Sequence, residues 1–343
     1  PSYRLPREEL ERDISRITAM GVKIACDFRI GDNLSIETLR EDSDAIFMST
    51  GAWADVSMRV PGEDGQGVAS GIEFLKQTEM GTTPVISGDA VVIGGGNTAM
   101  DAARTLIRKG ASSVTVVYRR TREEMPVQPE EVTEALEEGV KFVFLAAPVE
   151  IIRNDKQEAV AIKLQQMQLG SFDDSGRRRP VALEDSFLEL PASHIIRAIG
   201  QKAIIPDGGP AAAKWGTIAV DDFTLATDFH GVFAGGDAVL GPATAVQAIA
   251  HGRKAAEAME RYMHPDKSPN FPWYQPRTLD TRFDPMAEPS DTTRRHAPKL
   301  DPDARSRSFD EVELGLTAEE ARLEAARCLR CDFGKTIVAR EEV

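Results

Sequence analysis

The sequence predicts an α/β fold built around parallel, helix-covered sheet, and three observations carry that prediction. Residues 90–104 (AVVIGGGNTAMDAAR) run as an apolar stretch into three glycines and then into a helical pattern. A second β-forming stretch follows, residues 113–118 (SVTVVY), completing a strand–helix–strand unit. Further strands close on glycine at residues 194–200 and 231–237, the latter leading into another helix.

Residues 7–20 read as a helix with Leu10, Ile14 and Ile17 on one face, stopped by Gly21. Residues 22–28 and 45–48 read as strands, Cys26 on the first as a small buried apolar residue, the second closing with Ser49, Thr50 and Gly51. Glycine and charge crowd residues 61–67, as in a connection between domains. After the strand–helix–strand unit come a short acidic helix, 129–138, and a strand, 141–145. Two β runs, 159–168 and 181–188, flank a polar loop and predict a hairpin with a mobile tip. The tip's Arg177, Arg178 and Arg179 read as a solvated turn in preference to a partner contact. From 265 to 308 periodicity is lost, predicting an extended arm on the surface or on a partner. A last helix, 317–327, delivers Cys328 and Cys331.

Each small residue of the glycine turn has a physical role. Gly94 permits the tight turn, Gly96 lets backbone approach a pyrophosphate, and Ala99 keeps the helix close to the strand. Gly95, Asn97 and Thr98 complete the loop and the first helical turn, whose unpaired N–H groups and positive dipole end suit phosphate. In this context the pattern is a dinucleotide-binding fingerprint.

The end of the second strand bears on which dinucleotide. A free ribose 2'-hydroxyl is normally held by an acidic residue about 20 positions past the glycines, and a 2'-phosphate by arginine. Here stand Arg119, Arg120 and Arg122, with no carboxylate until Glu123. Guanidinium presents a planar fork of donors matched to phosphate oxygens, so NADPH is favoured over NADH. The alternative is a solvated basic strand end.

A net charge of −14 speaks against nucleic acid and against an anionic membrane surface as partners. An anionic cofactor must then be held by local features. No apolar run approaches the roughly 18 residues that span a bilayer, and no secretory leader is evident, so a cytoplasmic protein is expected. Three cysteines are too few for a disulfide framework.

Taken together, residues 94–101, 118–126 (YRRTREEMP), 198–201, 231–237 and 328–331 resemble the small (β) subunit of NADPH-dependent glutamate synthase and related flavin-linked reductases with the pyridine nucleotide-disulphide reductase-like fold. The resemblance covers nearly the whole chain. It implies two Rossmann-like three-layer domains, an FAD domain interrupted by an inserted NADP domain, with crossings at Thr50 and Gly51 and again at Gly200. The implied division is 1–63, partial FAD-binding domain; 64–197, NADP-binding domain; 198–265, return of the FAD-binding domain; and 266–343, a C-terminal arm. Gly236 and Asp237 match the family's second flavin motif, the carboxylate accepting from ribityl hydroxyls. Ala243, Thr244 and Ala245 open the following helix toward the flavin, with Pro242 in its first turn. The implied chemistry is hydride transfer from NADPH to FAD, then electron release to iron-sulfur clusters or a partner subunit. No side chain is assigned a catalytic acid or base role, and His194, His230, His251, His264 and His296 show no ligand spacing.

Relatives carry a first flavin glycine motif and cluster-binding cysteines upstream of a segment like residues 1–6. The chain is therefore expected to be an N-terminally truncated fragment with an incomplete FAD domain. The remainder is expected on the same polypeptide, ahead of a second chain or poor FAD binding. Cys328 and Cys331 form half a metal site, for an iron-sulfur cluster or zinc, or else a free or redox-active pair. The rival to a reductase module is a nucleotide-binding, electron-relay or structural subunit without its own complete flavin site.

Overall fold

The computed structural model describes residues 1–173, 176–266 and 293–327. In chain order the elements are α1 (Arg7–Thr18), α2 (Ile36–Asp42), β1 (Ile46–Met48), β2 (Ala54–Asp55), β3 (Val68–Ser70), α3 (Gly71–Glu79), β4 (Asp89–Ile93), α4 (Asn97–Arg108), β5 (Ser113–Tyr118), α5 (Pro129–Glu137), β6 (Lys141–Phe144), β7 (Ala146–Arg153), β8 (Ala159–Phe172), β9 (Arg178–Pro191), β10 (His194–Arg197), β11 (Gln201–Lys202), β12 (Val232–Ala234), α6 (Asp237–Leu240), α7 (Ala245–Met263), α8 (Pro302–Arg305) and α9 (Ala318–Ala326).

A five-stranded parallel sheet, ordered β3-β10-β4-β5-β6, organises the larger unit. β4 is apolar throughout its inner residues because both its faces are covered. Ala90 and Val92 pack with Ala99, Met100, Ala103 and Leu106 of α4 and Val132 and Ala135 of α5. Val91 and Ile93 point the other way, onto Ile151, Ile162 and Leu164 of an antiparallel sheet ordered β7-β8-β9. Period-2 side-chain alternation thus serves two cores, giving three layers: helices, parallel sheet, antiparallel sheet.

In the second unit β1 and β12 pair in parallel over a core of Ile36, Met48, Ile218, Val232, Ala234 and Ala238. The chain passes between the units at residues 51–67 and 198–202. There β2 and β11 form an antiparallel ribbon. Arg197 clamps it, donating to Asp55 at 2.5 Å and Glu63 at 2.7 Å. Buried Glu63 also accepts from the Ser57 hydroxyl and the Met58 and Arg59 amides at 2.7–2.8 Å. Burial alone would raise its carboxyl pKa; these donors outweigh burial and hold it at about 2.

The N-terminal segment and the C-terminal arm meet on the back of α4 and α5. Arg104, Arg108 and Arg305 converge on the Glu138 carboxylate at 2.6, 2.6 and 3.0 Å, all four side chains essentially buried. Tyr3 lies under Arg108 with the guanidinium 4.1 Å from the ring centre, and its carbonyl accepts from the Val312 amide at 2.9 Å. The described part of the predicted arm is thus docked on the chain's own nucleotide-type unit.

Three expectations need correction. Residues 22–28 form no strand, and Cys26 is exposed with Val22, Ile24 and Phe28. No strand pairs with this segment among the described residues, and β-propensity without a ladder partner does not make a strand. Pro242 is not in the first turn of a helix: Thr244 caps α7 through a capping box with Gln247. The hairpin arms are longer than predicted, and β7 precedes them.

Candidate functional site

The glycine turn is fixed by the strands on either side of β4. The Gly94 amide donates to Val117 O at 3.0 Å, and the Ala198 amide to Ile93 O at 2.8 Å. Gly94 has φ +144°, and a Cβ there would collide with the Ala198 carbonyl oxygen. A Cβ at Gly95 would stand 2.6 Å from the Tyr118 ring, which is held by its hydroxyl donating to Glu124 O at 2.9 Å. Gly96 is different. The nearest atom to a Cβ there is Pro126 Cγ at 4.0 Å. Two glycines therefore serve packing, and the third leaves backbone bare above the strand ends.

Gly96 is also the N-cap of α4, and no side chain caps that helix. Asn97 is exposed, Thr98 half-buried, and Ala99 fully buried against the sheet. An uncapped helix N-terminus beside bare backbone presents free N–H groups and positive potential, a donor set suited to phosphate.

The register Ile93↔Val117 brings the residues after Tyr118 beside this turn. The three predicted arginines then diverge. Arg119 is exposed and has no hydrogen bond or ion pair among the described residues. Partial burial, then the neighbouring charges of Arg120 and Arg177, lower its pKa. Arg120 is buried, donating through Nε to Arg178 O at 2.6 Å and through Nη2 to Asp173 at 2.7 Å. Arg122 is exposed and donates to Thr133 on α5 at 3.0 Å.

The second set of predicted residues converges at the ends of β1 and β12. Gly51, Gly236, Asp237, Ala243, Thr244 and Ala245 line one cleft of about 270 Å³, joined by Phe47, Ser49 and Ala248. Gly236 has φ +62°, a conformation that favours glycine. A Cβ at Gly235 would stand 2.8 Å from Phe47 and 3.0 Å from His251. His251 Nδ1 accepts from the Gly236 amide at 3.2 Å. Asp237 Oδ1 accepts from the Ala243 amide at 3.2 Å, closing the turn between α6 and α7. Its Oδ2 has no hydrogen-bond partner among the described residues. The buried Thr50 Oγ1 likewise lacks a partner among them. Thr50 itself does not line the cleft. An acceptor carboxylate and a helix start facing one cleft suit a polyhydroxylated ligand with an anionic or polar ring edge.

Gly200 stands apart from that cleft, in the ribbon between the units, its carbonyl accepting from Val56 at 3.2 Å. Cys328 and Cys331 lie outside the described residues. Phe47 and Ala248 are cleft residues that the sequence did not flag, and His251 supports the cleft through the Gly236 amide; each is an ordinary helix or strand residue until α7 is laid against β12.

Residues 8–252 match the model of the pyridine nucleotide-disulphide oxidoreductase family. The chain belongs to this family. Among relatives of this chain, the β subunit of NADP(+)-dependent formate dehydrogenase from Moorella thermoacetica is 40% identical, over 99% of this chain and 50% of its own length. A putative glutamate synthase [NADPH] small chain from Cereibacter sphaeroides is 37% identical, over 77% of this chain and 67% of its own. The chain thus spans about half the length of the formate dehydrogenase relative, and its resemblance to glutamate synthase small subunits is shown. FprA from Mycobacterium tuberculosis, in complex with NADPH, shares the fold with a TM-score of 0.64 at 19% identity, over 76% of this chain and 73% of that one. No helix among the described residues is long and apolar enough to cross a membrane.

Proposed function

We propose that this chain is the NADPH-binding part and the C-terminal share of the FAD-binding part of a flavin oxidoreductase, delivering electrons to iron-sulfur clusters or a partner subunit. Residues 64–197 serve as the NADP-binding domain, and residues 1–63 and 198–265 as portions of the flavin domain. The observation that carries the reading is the cleft uniting residues 49–51 with residues 236–245, segments far apart in sequence and joined at the end of a parallel strand pair. The names of the relatives support NADPH as the reductant and a multisubunit setting.

When bound, the nicotinamide and the flavin supply the hydride and electron chemistry. The chain's own residues bind and orient. Gly96 and the start of α4 offer N–H donors to pyrophosphate, and Arg119 stands beside them for a 2'-phosphate. Asp237 Oδ2 is assigned to hydroxyls of the flavin's sugar-like chain, with Thr50 kept as a neighbouring candidate beside the cleft residues Ser49 and Gly51. The α7 N-terminus at Thr244 and Ala245 directs positive potential into the same cleft. Arg197 ties the end of β10 to Asp55 and Glu63 in the connection between the two units. Cys328 and Cys331 are assigned as a half-set of metal ligands completed elsewhere.

The test is the flavin content of the protein at its native length. Wild type is expected to retain FAD on purification, and Asp237→Ala to lose most of it while keeping its melting temperature. Undiminished FAD in the variant, or none in wild type, overturns the assignment in favour of a subunit without its own flavin site.

A further inference from the structure

A second helix starts beside the glycine turn. Gly71, the first residue of α3, is buried, and a Cβ there would stand 3.1 Å from both Arg197 O and Thr98 Cγ2 and 3.3 Å from Ala198 Cβ. Glycine thus lets α3 begin against Thr98, in the first turn of α4, and against the end of β10. The two helices share one face of the sheet, Phe74 packing in the same core as Ala99 and Met100. Ala198 joins these parts to the rest of the molecule. Its carbonyl is the atom that a Cβ at Gly94 would strike, and just beyond it the chain leaves the sheet for the ribbon that leads to the second unit.

Ser70 is the N-cap of α3, yet its hydroxyl does not cap. Its backbone has the extended conformation usual at that position, φ −71° and ψ 140°, and the side chain makes no bond to the helix's first amides. Ser35, Thr244 and Thr317 make that bond at the starts of α2, α7 and α9. Ser70 Oγ is instead buried with no hydrogen-bond partner among the described residues. A polar atom left so is destabilising until something completes it, and the first amides of the helix stand beside it without a capping side chain.

Sheet order says which part of a dinucleotide comes here. β5 lies on one side of β4, and β10 and then β3 on the other. A dinucleotide with its pyrophosphate at the start of α4 and its adenosine ribose at the end of β5, beside Arg119, extends its nicotinamide half over β10 and β3. There α3 starts, and there the chain turns off toward the unit that carries the flavin-type cleft. We propose that Ser70 and the start of α3 form the subsite for the nicotinamide half of the coenzyme, the Ser70 hydroxyl and the adjoining amides hydrogen-bonding its phosphate and ribose oxygens. This rests on the reading of residues 94–122 as an NADPH site. It extends that site across two strands that carry no glycine fingerprint.

The test measures binding, not turnover. Calorimetry on the native-length protein compares NADP+, which carries the nicotinamide half, with adenosine 2',5'-bisphosphate, which lacks it. Wild type is expected to bind both. Ser70→Ala is expected to weaken NADP+ about five- to tenfold, the worth of one lost hydrogen bond, and to leave the bisphosphate unchanged. Ser70→Asp places a carboxylate at the same point, where it suits a helix start but repels a phosphate, and should weaken NADP+ further than alanine does. Unchanged bisphosphate affinity shows in each variant that the glycine turn is still folded. Wild type that fails to bind the bisphosphate sinks the NADPH reading and this inference with it. Wild-type affinity for NADP+ in both variants sinks the α3 subsite alone. Equal losses for the two ligands show Ser70 supporting the turn from behind and overturn its assignment as a contact of the nicotinamide half.

Discussion

The three glycines of the turn separate folding from binding, and alanine at each position tests the separation. At Gly96 the backbone has φ −96° and ψ −176°, which alanine adopts freely, and the added methyl meets nothing nearer than 4.0 Å. Losing glycine at a helix N-cap costs a few tenths of a kcal/mol to about 1, and the stiffer unfolded chain returns about 0.4–1, so stability should stay within roughly 0.5 kcal/mol of wild type. On the proposed reading, however, the methyl fills the space a pyrophosphate oxygen needs against the backbone. Forfeiting one charge-assisted hydrogen bond is worth about 1.5–3 kcal/mol, or roughly tenfold to over a hundredfold in NADPH affinity. Gly95→Ala should do the reverse: its methyl stands 2.6 Å from a pinned Tyr118 ring, an overpacking of about 1–3 kcal/mol. Melting curves and equilibrium titration with NADPH on the same preparations give both numbers. Wild-type NADPH affinity in Gly96→Ala would refute the reasoning, as would a loss of folding stability there equal to that of Gly95→Ala.

The clamp between the units makes an acid prediction. Glu63 is held at about 2, below its ordinary value, so its contribution is complete above about pH 4.5 and is lost as pH falls toward 2. With its partners partly solvated, the contribution is expected at about 1–2 kcal/mol. Glu63→Gln should flatten that limb of a stability-versus-pH curve, and an unchanged limb contradicts it. On the back of α4, Glu138→Ala strips Arg108 of its carboxylate partner and leaves buried guanidinium unpaired. About 3–5 kcal/mol should be lost, read as a melting temperature lower by roughly 10 °C, and a shift under two degrees would be inconsistent. His251→Leu removes the acceptor of the Gly236 amide and should lower FAD retention while leaving NADPH binding intact. Full retention would show that the histidine is not a support of the cleft.

The glycine turn and its helix were legible because the signals are local: an apolar run, three glycines and a helical period lie within fifteen residues. The cleft was legible only as two motifs, since nothing local says that Gly51 and Asp237 face one space. The β7 strand escaped because Pro148 argues against a strand. It is tolerated there because β7 is an edge strand with a register shift after Pro148. Leu145, at φ +53°, separates β6 from β7 without a glycine to announce the break. The start of α7 was in fact written in Thr244 and Gln247, a capping-box spacing that outranks the nearby proline. Among the arginines, sequence shows that several positive charges gather at the strand end. Which of them is exposed depends on Asp173, fifty-three residues from Arg120 along the chain.

The central claim is that one chain holds a nicotinamide dinucleotide at residues 94–122 and a flavin at residues 49–51 and 236–245 so that the two exchange electrons. Anaerobic titration of the native-length protein with NADPH, followed by its absorption spectrum, tests this most directly. Bleaching of a bound flavin by stoichiometric NADPH, and abolished by Gly96→Ala at the same concentration, is the predicted result. A flavin that stays oxidised in the presence of NADPH would contradict the account.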